Sequence, residues 1–518
     1  MNDFDADIIV IGSGPAGVSA SFPLVEAGCR VLMIDGASVP RAVASSRWER
    51  SFGVDLQALQ PDDQLSPKLR TPIARTIIGA FREHVHIEER NFYVTGALGR
   101  GGLSRVWGGF AAELDDDDMV GWPFRAESLR PSYRTMVERI GVSGSCDDDM
   151  ASFFGRSGRL LPPPEISPAA NALLTAYRRT KLTNDFALGL ARNALLTQDR
   201  AERQACNLSQ SCLWGCERGA IYDANFDLVQ LRRNPCFELR VGTKAIGLKR
   251  IMGGWEVIAT GSQEGLRAPR VLVAAGPFGT LRLILPLIAP SESGTLRVQN
   301  SPVLASPLLV AGRIGAEASA RGFSLAQLGY RVAFGAAPGE YAMGGIYDVA
   351  GLPVSSFASR IPLGRRAATE LLKALASSLV VATTYFPGVY SANSVSWRRG
   401  ENGLNIAISG GTTPQMEDVA ARVRARLRGI WRRLGAWSLP GASFAIPGTD
   451  AHIGGTFPMG NNDWYGTSTS GELRSAEGIH IVDGSVLPTI PSKFTTLTIM
   501  ANAHRIGVGL AGAFRRAG

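Results

Sequence analysis

The sequence predicts an α/β protein, with a parallel sheet at its N-terminus and an antiparallel sheet further along. Two stretches carry this expectation. "DADIIVIGSGPAGVSASFPLVEAGCRVLMIDGA", beginning at Asp5, reads as strand, tight turn, helix, strand. "SVSWRRGENGLNIAISGG", beginning at Ser394, reads as two strands around a Glu-Asn-Gly turn.

Taken in order, Ile8 to Ile11 form a continuous apolar run, as a strand buried on both faces requires. Gly12, Gly14 and Gly17 then give the G-x-G-x-x-G spacing. The first permits a tight turn, the second lets backbone approach a pyrophosphate, and the third lets the helix pack against the strand. The helix N-terminus offers N–H groups to phosphates. Strand "RVLMID" ends at Asp35, placed to bind a ribose hydroxyl. This is a Rossmann-like dinucleotide site, and the motif alone does not choose between FAD and NAD. Further along, "PQMEDVAARVRARLRGIWRRLGA" predicts an amphipathic helix with Val419, Val423, Leu427, Ile430 and Leu434 on one face. Its arginine face is either solvated or a docking surface for an acidic electron-acceptor protein.

Composition narrows the class. The chain has 518 residues, 45% hydrophobic and 19% charged, which fits a globular protein with a sizeable core. The net charge of +9 is spread along the chain, which speaks against a nucleic-acid partner. No apolar run reaches the 18 or so residues of a transmembrane segment. "MNDFDADIIVIG" has neither the basic nor the apolar region of a secretory signal, so the expected compartment is the cytoplasm by default. Export on a partner would leave no trace in this sequence. The acid clusters "ELDDDDMVGWPF" and "CDDDM" lack the ligand spacing of a calcium loop and read as surface.

Three distant segments add a resemblance. "HIGGTFPMG" starts at His452 and is followed by "GIHIVDGSVLPTIPSKFTTLTIMANAHRIG". "RVLVAAGPFGTLRLIL" lies at mid-chain and "GALGRGGLSRVWGGF" nearer the start. With the N-terminal fingerprint, these resemble the glucose–methanol–choline (GMC) oxidoreductases. The resemblance implies FAD and oxidation of a CH–OH group of a sugar, polyol or other alcohol, with hydride passing to flavin N5. Gly12, Gly14, Gly17 and Asp35 would hold the ADP half. The loop Gly101 to Gly109, with Ser104 and Trp107, would run along the flavin. Ala275 and Gly276 would approach the cofactor, Asp483 would sit by the ribityl chain and phosphates, and Thr495 and Thr496 by the ring. His452 would be the catalytic base. A neutral imidazole suits that task near neutral pH; a lone histidine would otherwise more often simply hydrogen-bond a loop.

The resemblance also implies a discontinuous architecture. The FAD-binding domain takes about 1–45, 90–125, 200–295 and 450–518. Residues 46–89, 126–199 and 296–449 form the substrate domain and excursions, with an antiparallel sheet roofing the flavin. Two departures stand out. Phe494 occupies the substrate-side position where the family usually has a second histidine or asparagine. His452 would then work alone, or with Lys493, Asn502 or His504, or the flavin chemistry is not alcohol oxidation but lyase-like. Val106 stands where some sugar oxidases of the family carry a flavin-linking histidine, which implies non-covalent FAD.

Cys206, Cys212 and Cys216 have C-x5-C-x3-C spacing, which resembles the [3Fe–4S] loop of sugar dehydrogenases in the family. A cluster there would favour a dehydrogenase over an oxidase. Buried free thiols are the other reading.

Overall fold

Ile8–Ile11 is buried along its whole length because it lies at the centre of a parallel sheet. The structure is a computed structural model; it describes residues 4–36, 67–262, 264–317, 319, 321–349, 361–401 and 403–517. The sheet has five strands, in the order Ile479–Ile481, Arg270–Val273, Ile8–Ile11, Val31–Asp35 and Phe237–Val241. Every pair in it is parallel. Its strands therefore come from both ends and the middle of the chain. Helices Pro15–Glu26 and Thr496–Ala517 pack against each other so closely that a Cβ at Gly507 would lie 2.4 Å from the Ala20 carbonyl oxygen.

A second, antiparallel sheet of seven strands runs Ala436–Ser438, Val303–Val310, Leu379–Tyr385, Tyr341–Asp348, Ala326–Ala333 and Phe186–Leu190, with Ser443–Phe444 also paired to Val303–Val310. Strand alternation gives it two different faces. Val380 and Ala382 meet Leu173, Val423 and Trp431 from helices Pro168–Arg179 and Gln415–Arg433. Tyr385 turns the other way, with Met343, Val303 and Phe494. That second face closes over the nucleotide-binding half. The fold is thus α/β, with a Rossmann-like sheet and a separate antiparallel sheet, as the sequence predicts.

The hairpin at residues 393–409 differs from expectation. Its strands, Asn393–Gly400 and Gly403–Ser409, join a five-stranded mixed sheet rather than the seven-stranded roof. Val395, Trp397, Ile406 and Ile408 face the core shared with the parallel sheet. Alternation reveals a one-sided strand but not which core it faces. The turn residue Asn402, and residues 46–66 of the expected excursion, lie outside the described residues. All five apolar positions expected on the arginine-rich helix are buried. Two of its arginines reach back to the fold: Arg426 pairs with Asp185 and Arg433 donates to the Lys181 carbonyl. Among the described residues no helix is long and apolar enough to cross a membrane.

Candidate active site

A single cavity of about 220 Å³ runs from Gly12 and Asp35 at one end to Tyr385, His452 and Phe494 at the other. Its first end is built by backbone. Gly12 has φ of +105°, and a Cβ there would lie 2.4 Å from the Ala274 carbonyl oxygen. A Cβ at Gly17 would lie 2.0 Å from the Gly12 oxygen, so this glycine seats the helix on the strand and does not line the cavity. Gly14 lines the cavity opposite Gly102. Asp35 ends its strand with Oδ2 accepting from Ser13 Oγ at 2.5 Å. Ser13 Oγ in turn accepts from the Gly101 N–H at 3.1 Å, tying the fingerprint to the loop expected along the flavin.

That loop is held from behind. Ser104 Oγ donates to the Gly101 carbonyl and accepts from the Ala224 N–H at 3.0 Å. The Trp107 indole donates to the Tyr222 carbonyl at 2.8 Å. Both residues line the cavity, but their polar groups serve the scaffold. Ala275 and Gly276 line the middle, at the start of helix Pro277–Ile288, where Gly276 has φ of +74°. Asp483 is buried beside them. Its carboxylate accepts from Thr280 Oγ1 at 2.5 Å and the Ser485 N–H at 2.9 Å, while burial pushes its pKa up. Thr496 lines the cavity at the start of the C-terminal helix. Thr495 does not; it is buried, and its carbonyl accepts from Ile499.

At the far end His452 stands in an aromatic wall. Its ring centroid is 4.9 Å from that of Phe494 and 5.4 Å from that of Tyr385. Phe494 also packs on Phe110 at 4.5 Å and Tyr385 at 4.7 Å. The His452 side chain is 12% exposed, and burial with the nearby Lys68 cation lowers its pKa to about 3. The imidazole is therefore neutral at physiological pH and has an unprotonated ring nitrogen, though the same burial weakens it as a base.

None of the three stand-ins named from the sequence reaches it. Lys493 Nζ is held by Asp118 at 2.7 Å and Asp115 at 2.9 Å. His504 Nδ1 bonds Ser132 Oγ at 3.0 Å. Asn502 Oδ1 accepts from Arg505. Asp450 is the acid at His452 instead, its Oδ2 3.7 Å from His452 Nδ1. Asp450, Lys68, Tyr347 and Tyr385 all line this end, and sequence reasoning missed all four. Asp450 lies two residues before the histidine and was legible as an acid in an apolar, glycine-rich stretch. Tyr347 and Tyr385 come from strands with no local signal of a site.

The cysteine loop gives a correction. Cys206, Cys212 and Cys216 line one small cavity, yet among the described residues no group of His, Cys, Asp or Glu side chains is set to hold a metal ion. Cys212 Sγ accepts from the Ser324 N–H at 3.2 Å, and burial pushes its thiol up to about 12. Burial also raises Cys206, which packs with Leu195, Leu208 and Phe323. The structure does not support the [3Fe–4S] reading.

Comparisons with known proteins bear on the family and the fold. The family model described as GMC oxidoreductase matches residues 415–503. The 6'''-hydroxyparomomycin C oxidase of Streptomyces lividus is 26% identical over 538 aligned positions, 98% of this chain and 91% of that protein. Paromamine 6'-oxidase of Streptomyces fradiae is 26% identical over 251 residues, 47% of this chain and only 41% of its own length. Among solved structures, pyridoxine 4-oxidase from Mesorbium loti has a TM-score of 0.60 at 15% identity, covering 97% of this chain and 98% of its own. An FAD-dependent oxidoreductase from Chaetomium thermophilum has a TM-score of 0.59 at 14% identity, covering 99% and 100%. At those identities the structures speak for the fold. The GMC oxidoreductase match over residues 415–503, the full-length likeness to a named oxidase and the shared fold all agree with the resemblance carried by the sequence.

The family implies FAD, and the residues fit it. Gly14 and Gly276 present bare backbone to the cavity, with nothing closer than 3.8 Å to where a Cβ would stand, so a cofactor can approach there. Asp35 sits at the strand end where a ribose would lie, and the cavity continues without a break to His452.

Proposed function

We propose that the protein oxidises a CH–OH group of a sugar, polyol or other alcohol, with His452 as the base. The observation that carries this reading is a neutral histidine lining the same cavity as the dinucleotide glycines. FAD bound along Gly12–Gly17, Gly101–Gly109, Gly276 and Asp483 would supply the hydride acceptor. His452 removes the hydroxyl proton, so that the carbon can release hydride and become a carbonyl carbon. Phe110, Tyr385 and Phe494 wall the reacting end and exclude water, which strengthens the electrostatic interactions there.

The names of the relatives, paromamine 6'-oxidase and 6'''-hydroxyparomomycin C oxidase, support a hydroxyl on an amino sugar as the first substrate class to test. They also bear on the acceptor. The ground for expecting a dehydrogenase was the iron–sulfur loop, which the cysteine geometry does not support, and the relatives are named oxidases. Oxygen is therefore the acceptor proposed first, ahead of a partner protein docking on the arginine-rich helix.

The test is an anaerobic screen of FAD-loaded protein against amino sugars, simple sugars, polyols and aromatic primary alcohols. Loss of the flavin's visible absorbance, with a carbonyl product found by mass spectrometry, is the expected result. Phe494 keeps one other reading in play, because it offers no second proton acceptor. Bound flavin that no alcohol reduces would favour that lyase-like alternative.

A further inference from the structure

We infer that Asp450 is the positioning partner of His452 and takes the place left by Phe494. This inference rests on His452 being the base. The Asp450 carboxyl is buried, and its two oxygens are treated differently. Oδ1 accepts from Asn300 Nδ2 at 3.2 Å. Oδ2 has no hydrogen-bond partner among the described residues and lies 3.7 Å from His452 Nδ1. A buried carboxylate oxygen left without a donor is costly, and the nearest ring nitrogen is one that can supply it. The separation is longer than a hydrogen bond, as catalytic contacts often are before substrate closes the site.

The backbone is bent to make this pairing. Ala451, between the two, has φ of +62°, a left-handed conformation that non-glycine residues rarely adopt. Such outliers persist where the surroundings over-determine them, and functional sites are where they gather. Asn300 is fixed in turn: its Oδ1 accepts from Asn393 Nδ2 at 2.7 Å. The chain Asn393, Asn300, Asp450, His452 thus runs from a buried strand to the cavity.

The arrangement sets the tautomer. An ionised Asp450 keeps the ring proton on Nδ1 and leaves Nε2 bare for the substrate proton. A protonated Asp450 presents a donor to Nδ1 and favours the wrong tautomer. No bond at Asp450 is made or broken during the reaction. Among the described residues, three titratable groups face Asp450: His452, Lys68 and Tyr385. Burial raises the Asp450 pKa to about 7, against the pull of Asn300, of Lys68, whose own pKa burial lowers, and of the nearby Asp450 and His452 N–H groups. Burial also raises Tyr385 well above its ordinary range, so it stays protonated. His452 remains neutral. The rate of flavin reduction should therefore climb as pH rises through about 7, as Asp450 loses its proton.

The experiment compares FAD-loaded wild type, Asp450→Asn, Asn300→Leu and His452→Ala by FAD content and anaerobic flavin reduction from pH 5.5 to 9, using the best alcohol of the screen. Asp450→Asn should keep its FAD, lose about 10²-fold in reduction rate, near the lower end of what a general base contributes, and lose the rise near pH 7. Its substrate affinity should stay within threefold. Asn300→Leu removes a donor to the carboxylate, so its rise should move to higher pH. It also covers the case in which Asp450→Asn does not fold. An Asp450→Asn rate within threefold of wild type with the same pH profile, or an unmoved rise in Asn300→Leu, overturns the inference. If His452→Ala reduces flavin normally, the assignment of the base itself is what fails.

Discussion

Replacing Lys493 by methionine should destabilise the protein by about 3–5 kcal/mol at pH 8. The Lys493 and Asp118 side chains are fully buried, 2.7 Å apart, and the Tyr341 hydroxyl donates to Asp118. Asp115, 2.9 Å from the same ammonium, is 54% exposed, so water screens it when the lysine is lost. Asp118 has no such relief and carries the cost of an uncompensated buried charge. The cost has a pH signature. Burial already raises the Asp118 pKa to about 6 with Lys493 pulling it down, and removing the lysine raises it further. A carboxyl whose folded pKa is raised contributes stability at low pH and loses it as pH rises through the folded pKa. The loss should therefore be largest at pH 8 and shrink at pH 5, where Asp118 is protonated in both proteins. Urea denaturation followed by circular dichroism at the two pH values measures it. A loss below about 1 kcal/mol at pH 8, or one equal at both pH values, would refute the reasoning. The double variant Lys493→Met with Asp118→Leu should recover most of the stability, because both charges are then gone.

Gly17→Ala should yield folded protein that no longer retains FAD. The new methyl would sit 2.0 Å from a backbone oxygen, which forces the fingerprint helix off the strand; near-stoichiometric FAD in the purified variant would contradict this. Protein purified anaerobically should contain flavin without stoichiometric iron or sulfide, and Cys212→Ser should reduce its flavin at the wild-type rate. Three irons per chain by metal analysis would restore the iron–sulfur reading.

What was legible in the sequence was whatever local pattern encodes. The fingerprint reads directly because Gly12 and Gly17 each answer a steric demand of the backbone, and Asp35 follows at a fixed distance. The C-terminal segment reads because His452, Asp483 and Thr496 lie in one stretch that folds back along the nucleotide site. The aromatic wall was not legible. Phe110, Tyr385 and Phe494 are far apart in sequence and meet only when the antiparallel sheet closes over the cavity. The partner of His452 was sought in the helix that follows Phe494, where Asn502 and His504 turn out to bond other groups. It lies two residues upstream, brought round by the positive φ at Ala451, a backbone state that no residue type announced. The cysteine spacing could not decide for a cluster, because spacing does not fix where thiols point, and among the described residues no metal-holding group forms.

The central claim is that His452 takes the proton from a substrate hydroxyl. Stopped-flow anaerobic flavin reduction by the best alcohol of the screen, in wild type and in His452→Ala carrying equal FAD, tests it most directly. The account predicts rapid bleaching in wild type and a fall of roughly 10²–10⁴-fold in the variant, the range a general base contributes. Bleaching of His452→Ala at the wild-type rate would contradict it.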